Sequence, residues 1–519
     1  MKFKNKKTHQ QYKIFVKENL AKLFFKNEIK SIVRFAPFIA RFFQLNPDYL
    51  RELLIPTYKK PNNKPTDPKA LFRSLLLMTM VKETSITELV VKLNDNKVYA
   101  ILSGFNPDDL PGVGTFYDFI YRITKDGDRR LRQQQRNRRK KFKRKPAKKL
   151  KKNEKLPPKH PNIVHKLIKR IMKNQDQQPY LGNYQILYQF FIYCVVKQSA
   201  QLGLLGELEN LIVSGDGTHI KTGASSYGRK VCDCPKFVIK NGNKVFNRCD
   251  CKRKFSDYDA AWGWDSYREQ YVYGYAFYEI TAAASPFDLP LFFLQAQAQR
   301  HDSTLAPIAL DDIRKLLGLQ YHIAKFLADS AHDNYPTYKL LNHFNCEAFI
   351  PLNDKNTGNY TYEPCPVNDL GIPVCKCGQQ MIYSGYCSDR MRIKWRCPIK
   401  ADKNFIQKEE CLENDFCSPS KYGRVVYTYP EKNLRLFTKT PRASKQLFHI
   451  YDKRTSSERS FKRKKTDYRI EQARVRSREQ WFVRFALAAI CQHLDAWAKT
   501  STIDFKELCR SWQHEIVNK

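Results

Sequence analysis

The sequence predicts an α/β protein: a mixed-sheet core, a helical N-terminal domain before it and a β-rich insertion within it. Three observations carry this reading. Apolar helical periodicity dominates the first 125 or so residues, strand-like and helix-like segments alternate from about 210 to 343, and from 350 to 447 Cys, Gly, Pro and β formers displace any long helical period. With 519 residues and 42% hydrophobic content, the chain can fill more than one core.

Residues 1–125 form the first domain. "DPKALFRSLLLMTMVKETSITELVVKL" holds one apolar helix, then Ser85 with Glu88 three residues on, the spacing of a capping box. "PGVGTFYDFIYRI" starts a further helix with Thr115 and Asp118 in the same relation. Short helices with tight turns suit a DNA-binding module and equally an ordinary helical subdomain. Residues 126–180 read as a basic linker or arm: Arg129 to Lys152 holds 15 Lys or Arg and no acid, Arg138, Arg139, Lys140 and Lys141 among them, and "LPPKHP" follows. Phosphate contact is the use such a density suggests.

The first part of the core spans 181–349, with a Cys-rich insert at 224–268. "NLIVSGDGTHIKTG", "QYVYGYAFYEITAAA" and "LPLFFLQAQAQ" read as strands; "RHDSTLAPIALDDIRKLL" supplies a cap and a helix, "YHIAKFLADSAHD" a fourth strand and "YPTYKLLNHF" a helix. The β-rich, Cys-containing insertion is 350–447. Residues 448–519 return to the core and end in "EQWFVRFALAAICQHLDAW", where Trp481, Phe485, Ala488 and Ala489 recur at helical spacing and mark a core helix.

The charge balance limits the partners. Lys and Arg number 92 against 51 acids, a formal +41, which fits a polyanion and nucleic acid first. No apolar run approaches the roughly 18–20 residues of a membrane span, and "MKFKNKKTHQQYKIF" lacks the apolar centre of a signal peptide. A cytoplasmic protein, nucleoid-associated if bacterial, with no membrane partner is expected, and its 15 cysteines there point to free thiols or metal sites.

Three acids stand out. Asp216 is read at the end of an apolar strand before Gly217, and Asp329 ends "AKFLAD"; acids at the carboxyl edge of an α/β sheet lie where ligands bind, although each could cap a turn. Between Asp452 and Asp467, Glu458 is the only acid among seven Lys or Arg. At 100° per residue Tyr451 and Lys465 return to within about 20° of its direction and Arg454 to about 40°, so a helix would carry all four on one face. A carboxylate there could hold a divalent cation while Arg, Lys and Tyr grip phosphate; oxygen-only ligands select Mg²⁺ or Mn²⁺, and two such ions can drive phosphodiester displacement.

The spacing Tyr451-x2-Arg454-x3-Glu458-x6-Lys465 matches the YREK signature, and the chain resembles the DDE transposases of the insertion sequence 4 type. "SGDGTHI", "RHDST" and "LADSAHDN" look like the surroundings of their first acid, connector and second acid, and residues 71–122 resemble their helical N-terminal domain. The resemblance implies an RNase H-like core with Asp216, Asp329 and Glu458 as the metal-binding triad and two Mg²⁺ or Mn²⁺ ions. It also implies DNA contacts from Tyr451, Arg454 and Lys465, double-stranded transposon ends and target as partners, and a homodimer on DNA. The 129 residues from Asp329 to Glu458 leave room for the insertion domain of that family. Asp302 reads as a helix cap and Asp333 as a turn residue or a partner of the triad. A catalytically inactive, transposase-derived DNA-binding protein and an RNase H-like nuclease without strand transfer are the competing classes.

The cysteines form two sets. Cys232/Cys234 and Cys249/Cys251 bracket a short segment after the first strand and could supply four thiolates to a structural Zn²⁺; four reduced thiols in a basic loop is the alternative. "VCKCGQQMIYSGYCSDRMRIKWRCP" resembles a zinc ribbon, with Cys375, Cys377 and Cys397 plus Cys365 or Cys411, at irregular spacing.

Overall fold

The computed structural model describes residues 3–4, 6–24, 33–58, 64–124, 163–247, 249, 251, 253–354, 360–363, 365–401, 418 and 420–500. Its centre is a six-stranded mixed sheet. The strands, in chain order, begin with β1 (Leu211–Lys221). The Cys-rich segment adds β2 (Arg229–Lys230), β3 (Phe237–Lys240), β4 (Asn243–Phe246) and β5 (Arg253–Lys254) outside the sheet. Then come β6 (Ala261–Asp265), β7 (Gln270–Ala282), β8 (Pro290–Gln297), β9 (Ile323–Leu327) and β10 (Glu347–Phe349).

β7 is the spine of the sheet. It pairs antiparallel with β1 from Gly274 to Ala282, and with β6 and β8 along successive stretches of its length. β9 lies parallel to β1, and β10 parallel to β9. Because β7 has partners on both edges and helices over its faces, its run of β-branched and aromatic residues is buried almost throughout. Proline opens β8, where a missing N–H costs least.

β6 lies in the stretch that the sequence assigns to the Cys-rich insert, so the insert ends earlier than 268. The basic linker is likewise shorter than 126–180. Ile163–Lys173 is a helix whose Val164, Ile168 and Ile171 pack on Leu340 of the Tyr335–His343 helix. The apolar i, i+4 and i+7 positions within its Lys-rich sequence are the signal for it.

The N-terminal residues are helical, and their caps differ in detail from the sequence reading. The Pro68–Met80 helix is capped by Asp67 with Pro68 in the first turn, where a missing N–H is harmless. Ser85 caps Ile86–Asp95 through Thr87 N (3.1 Å) rather than by a reciprocal box with Glu88. Val113–Ile123 starts from Gly112, so Thr115 and Asp118 lie within the helix and cap nothing.

The C-terminal helix, Arg478–Thr500, is buried on nearly every side, which explains its almost continuous apolar sequence. One flank stacks on the sheet and its approach, with Phe485 on Phe277 (4.3 Å between centroids) and Phe482 on Tyr184 (3.7 Å). The other meets N-terminal helices, where Arg41 binds Asp495 at 2.8 Å and Arg484 donates to the Thr84 carbonyl at 2.5 Å. One core therefore runs from Tyr12 to Trp497, a continuity that a domain-by-domain reading of the sequence does not anticipate.

The insertion carries its own antiparallel sheet, β11 (Ile382–Cys387), β12 (Arg392–Arg396) and β13 (Val425–Thr428), over a core of Ile372, Met381, Ile393, Trp395, Val426 and Phe437. Its return to the main sheet is fixed by polar contacts: Arg435 binds the buried Asp333 at 2.8 Å, and Arg442 donates to the Ile350 carbonyl at 2.7 Å. Asp333, held as well by Tyr338 and the Asn353 N–H, thus anchors the insertion. No helix among the described residues is long and apolar enough to cross a membrane.

Candidate active site

Two neighbouring strands bring two acids together. Ser214 of β1 lies opposite Leu327, the last residue of β9; Asp216 follows two residues on within β1, and Asp329 follows just past the end of β9, where it caps the turn Ser330–His332. Side chains two apart on a strand share a face, so Asp216 leaves β1 on the Ser214 side, and the Asp329 carboxylate is near enough to act on it electrostatically. β1 does not end at Asp216, as its sequence suggests, but runs on to Lys221. It is β9 that stops, after Leu327, so Asp329 lies just past its end while Asp216 lies in the middle of β1.

That face also receives the Glu458 segment. It comprises Lys445–Tyr451, a 3₁₀ turn Asp452–Arg454, the α-helix Thr455–Lys462 and a widened π turn Arg463–Asp467. Ser214 Oγ lies 2.8 Å from Ser457 Oγ, and both hydroxyls reach the Arg454 carbonyl (2.9 and 3.0 Å). These bonds pin the residue before Glu458 to β1 two positions from Asp216. Deeper in, Lys464 forms a buried ion pair with Glu279 of β7 (2.8 Å), shared with Ser460 and Gln492.

Tyr451, Arg454 and Glu458 gather at the surface of this segment. The Arg454 guanidinium bonds the half-exposed Glu458 carboxylate and lies over the Tyr451 ring at 5.9 Å. Lys465 departs from them: the widened turn carries it to Glu471, 3.1 Å away, where Arg268 also binds. Arg138, Arg139, Lys140 and Lys141 lie outside the described residues.

Two glycines flank Asp216 and admit side chains across the opposite face of β1. A Cβ on Gly215 would stand 2.3 Å from the Tyr278 hydroxyl, and one on Gly217 2.1 Å from Asp302 Oδ1. Asp302 is therefore not the helix cap: His301 caps Asp302–Leu317 through Ser303 N, and the Asp302 carboxylate is seated on Gly217. Tyr278 meets His332 Nε2 at 3.0 Å, and His332 Nδ1 donates to Asp329 at 2.6 Å. His332 and Tyr278 escape the sequence reading. The i, i+3 spacing of Asp329 and His332 on a one-turn helix is the signal that could have found the histidine.

The electrostatics separate the acids. Burial pushes the Asp216 carboxyl up to about 7, with Asp302 and Asp329 adding to the rise. Burial also raises Asp302, against the pull of His332, His301 and His219. Burial disfavours the charge on Asp329, but the His332 bond and the Ala331 N–H outweigh it and hold its carboxyl below the ordinary value. Burial works against the His332 cation, and Asp329 overrides it to raise the imidazole. A positive charge is already used here: Arg454 acts electrostatically on Asp216, Asp329 and Glu458.

Every donor in the set is a carboxylate oxygen, chemistry that suits Mg²⁺ or Mn²⁺. Among the described residues the three acids do not draw within 4.8 Å of one another; the four thiols of Cys232, Cys234, Cys249 and Cys251 do. Cys375, Cys377 and Cys397 are not brought together in this way. Cys365 and Cys375 are core side chains of the insertion, Cys365 donating to the Val374 carbonyl at 3.0 Å, and Cys411 lies outside the described residues.

Comparison with curated proteins and with solved structures gives no match. The family model of the transposase DDE domain matches residues 211–494, from the first residue of β1 into the C-terminal helix. With more than half its length matched and both strand acids and the Glu458 helix inside the match, the chain belongs to the DDE transposases.

Proposed function

We propose that this transposase is of the insertion sequence 4 type, binds the inverted-repeat ends of its element, cleaves phosphodiesters there and joins the freed 3′-OH ends to target DNA. The observation that carries this is the convergence of the acids: Asp216 leaves β1 on the side where Ser214 and Ser457 seat the Glu458 helix, and Asp329, just past the end of the neighbouring β9, acts with Arg454 on its charge. The sheet order β8-β7-β1-β9-β10, three antiparallel strands followed by two parallel ones, supports an RNase H-like core.

Asp216, Asp329 and Glu458 are the residues that would hold two divalent cations. Such ions supply Lewis-acid activation of the attacking oxygen and charge neutralisation at the leaving one. The protein's own groups do the rest. His332 orients the Asp329 carboxylate and fixes its ionisation, as outer partners of ligands do. Arg454 holds Glu458 and offsets the charge of the acids, and with Tyr451 it would grip phosphate. Lys465 would reach phosphate by exchanging Glu471 for it. The formal +41 attracts duplex DNA, and joining two ends calls for two copies, a homodimer on DNA.

The test is a cleavage assay with purified protein, Mg²⁺ and a plasmid bearing the DNA that flanks the gene, beside Glu458→Gln and Asp216→Asn. Cuts at the ends plus joined products, lost by at least about a thousandfold in both variants, are expected; the magnitude follows from removing groups that stabilise the transition state. End binding without cutting would identify an inactive DNA-binding descendant. Cutting without joining would identify a nuclease, and undiminished cutting by Glu458→Gln would remove Glu458 from the site.

A further inference from the structure

The Cys-rich segment between β1 and β6 is one hairpin arm with a break in it. β2 pairs with β5 at its base, Arg229 opposite Lys254, and β3 pairs with β4 at its tip, Phe237 opposite Phe246. Both ladders keep the same register, so neither strand of the arm gains a residue between them. Between the ladders stand Cys232 and Cys234 on the outgoing strand and Cys249 and Cys251 on the returning one. Their sulfurs all lie within 4.8 Å of one another, with Cys232 to Cys249 at 3.6 Å and Cys234 to Cys251 at 3.5 Å.

We propose that these four thiolates bind one structural Zn²⁺ that staples the arm at its break. A tetrahedral ion with Zn–S bonds of about 2.3 Å sets its sulfurs about 3.8 Å apart. The two sulfur separations, 3.6 and 3.5 Å, stand near that edge and far from the roughly 2.05 Å of a disulfide. The contacts run across the register: continuous pairing would oppose Cys232 with Cys251, yet its sulfur neighbours that of Cys249. A single four-ligand centre produces such crossed contacts, because every sulfur then neighbours the other three.

The arm needs a staple. No described residue from 229 to 254 belongs to the main core, and Phe237, Ile239, Val245 and Phe246 are all exposed. A lone two-stranded hairpin is marginal in water, and the apolar contact at this tip, Phe237 on Phe246, is a single edge-on ring pair. Metal binding couples directly to folding in such small units. The surroundings accommodate the charge as well: four thiolates around Zn²⁺ carry a net −2, and Arg229, Lys230, Lys236, Lys240, Lys244, Arg253 and Lys254 line the same arm. The closed set of four ligands leaves no position for chemistry, so this site is separate from the carboxylates of Asp216, Asp329 and Glu458.

The test uses the full chain purified without chelator. Metal analysis should give one zinc per chain, falling below about a tenth of that in Cys232→Ser/Cys249→Ser and staying at one in Cys375→Ser/Cys377→Ser. Replacing zinc by Co²⁺ should give thiolate charge-transfer bands and the strong visible bands of a tetrahedral site, both lost in the first variant. Because the arm adds nothing to the core, that variant should keep its far-UV circular dichroism and thermal midpoint, while trypsin cuts within 229–254 at least tenfold faster. A zinc-free protein with four free thiols, zinc retained by Cys232→Ser/Cys249→Ser, or a mass showing two disulfides in the arm would each overturn the proposal.

Discussion

At the scale of single residues, the glycines around Asp216 are as telling as the acid. Every atom that a Cβ on Gly217 would first meet belongs to Asp302, the nearest 2.1 Å away. Gly217→Ala is therefore expected to cost about 1–3 kcal/mol through overpacking, and Asp302→Ala should relieve most of it. Urea midpoints for the two single variants and the double would show a coupling of at least about 1 kcal/mol. Simple additivity would mean that the carboxylate does not sit on that glycine. The sequence makes Asp216, Asp329 and Glu458 visible because each stands out against its neighbours: two end apolar runs and one is alone among cations. It hides the seat of Asp302, because "RHDST" has the form of a cap, and only the fold decides that His301 takes that duty and frees the carboxylate.

Among the elements, the Glu458 helix is fixed by its inward face. Ser457, Ser460, Phe461 and Lys464 recur at helical spacing and are buried, while Arg454 and Glu458 lie on the outer side. The periodicity of the outer residues is readable in the sequence; the choice between Lys464 and Lys465 as the inward lysine is not, since both belong to one basic run and the π turn sets the phase. Burial pulls Lys464 down to about 8 against the attraction of Glu279. Lys464→Met would leave Glu279 charged and unpaired in the core and should cost about 3–5 kcal/mol. Replacing both, as Lys464→Met/Glu279→Leu, should recover most of that loss, because an apolar pair can fill a buried ion pair's place. Thermal midpoints would show this, and the single variant should also lose cleavage as the Glu458 helix loosens. A single variant as stable as the parent would show that the pair does not seat the helix.

Across the whole molecule, the C-terminal helix joins parts of the chain that the sequence presents as separate domains. Its pattern predicts a core helix, but nothing local says that N-terminal helices cover one flank, since that depends on Arg41 meeting Asp495 some 450 residues away (2.8 Å). His493 shows how tightly the helix is held. Its Nε2–H donates to the Pro290 carbonyl (2.8 Å), its Nδ1 accepts from Ser199 (2.7 Å), and Trp497 donates to the same hydroxyl (2.7 Å). Both ring nitrogens are used by the neutral imidazole, and no site remains for a second proton. Burial brings its pKa from 6.5 to about 3, with Lys464 and Arg463 adding to the fall. An unfolded chain would take up that proton near pH 6.5 and the folded one only near 3. Stability from this group is therefore complete above 6.5 and declines as pH falls toward 3, by on the order of 3–5 kcal/mol. His9, brought down to about 4 chiefly by burial, acts in the same direction. His493→Gln keeps a donor for Pro290 and an acceptor for Ser199 but does not titrate. It should be about 1–2 kcal/mol less stable at neutral pH and distinctly shallower in its loss from about pH 6.5 to about pH 4, the remaining slope belonging to His9 and the carboxylates. Urea midpoints across that range decide it: an unchanged slope would mean that His493 is already charged in the folded protein, and the clasp among Pro290, Ser199 and Trp497 would not be what holds the C-terminal helix to the sheet.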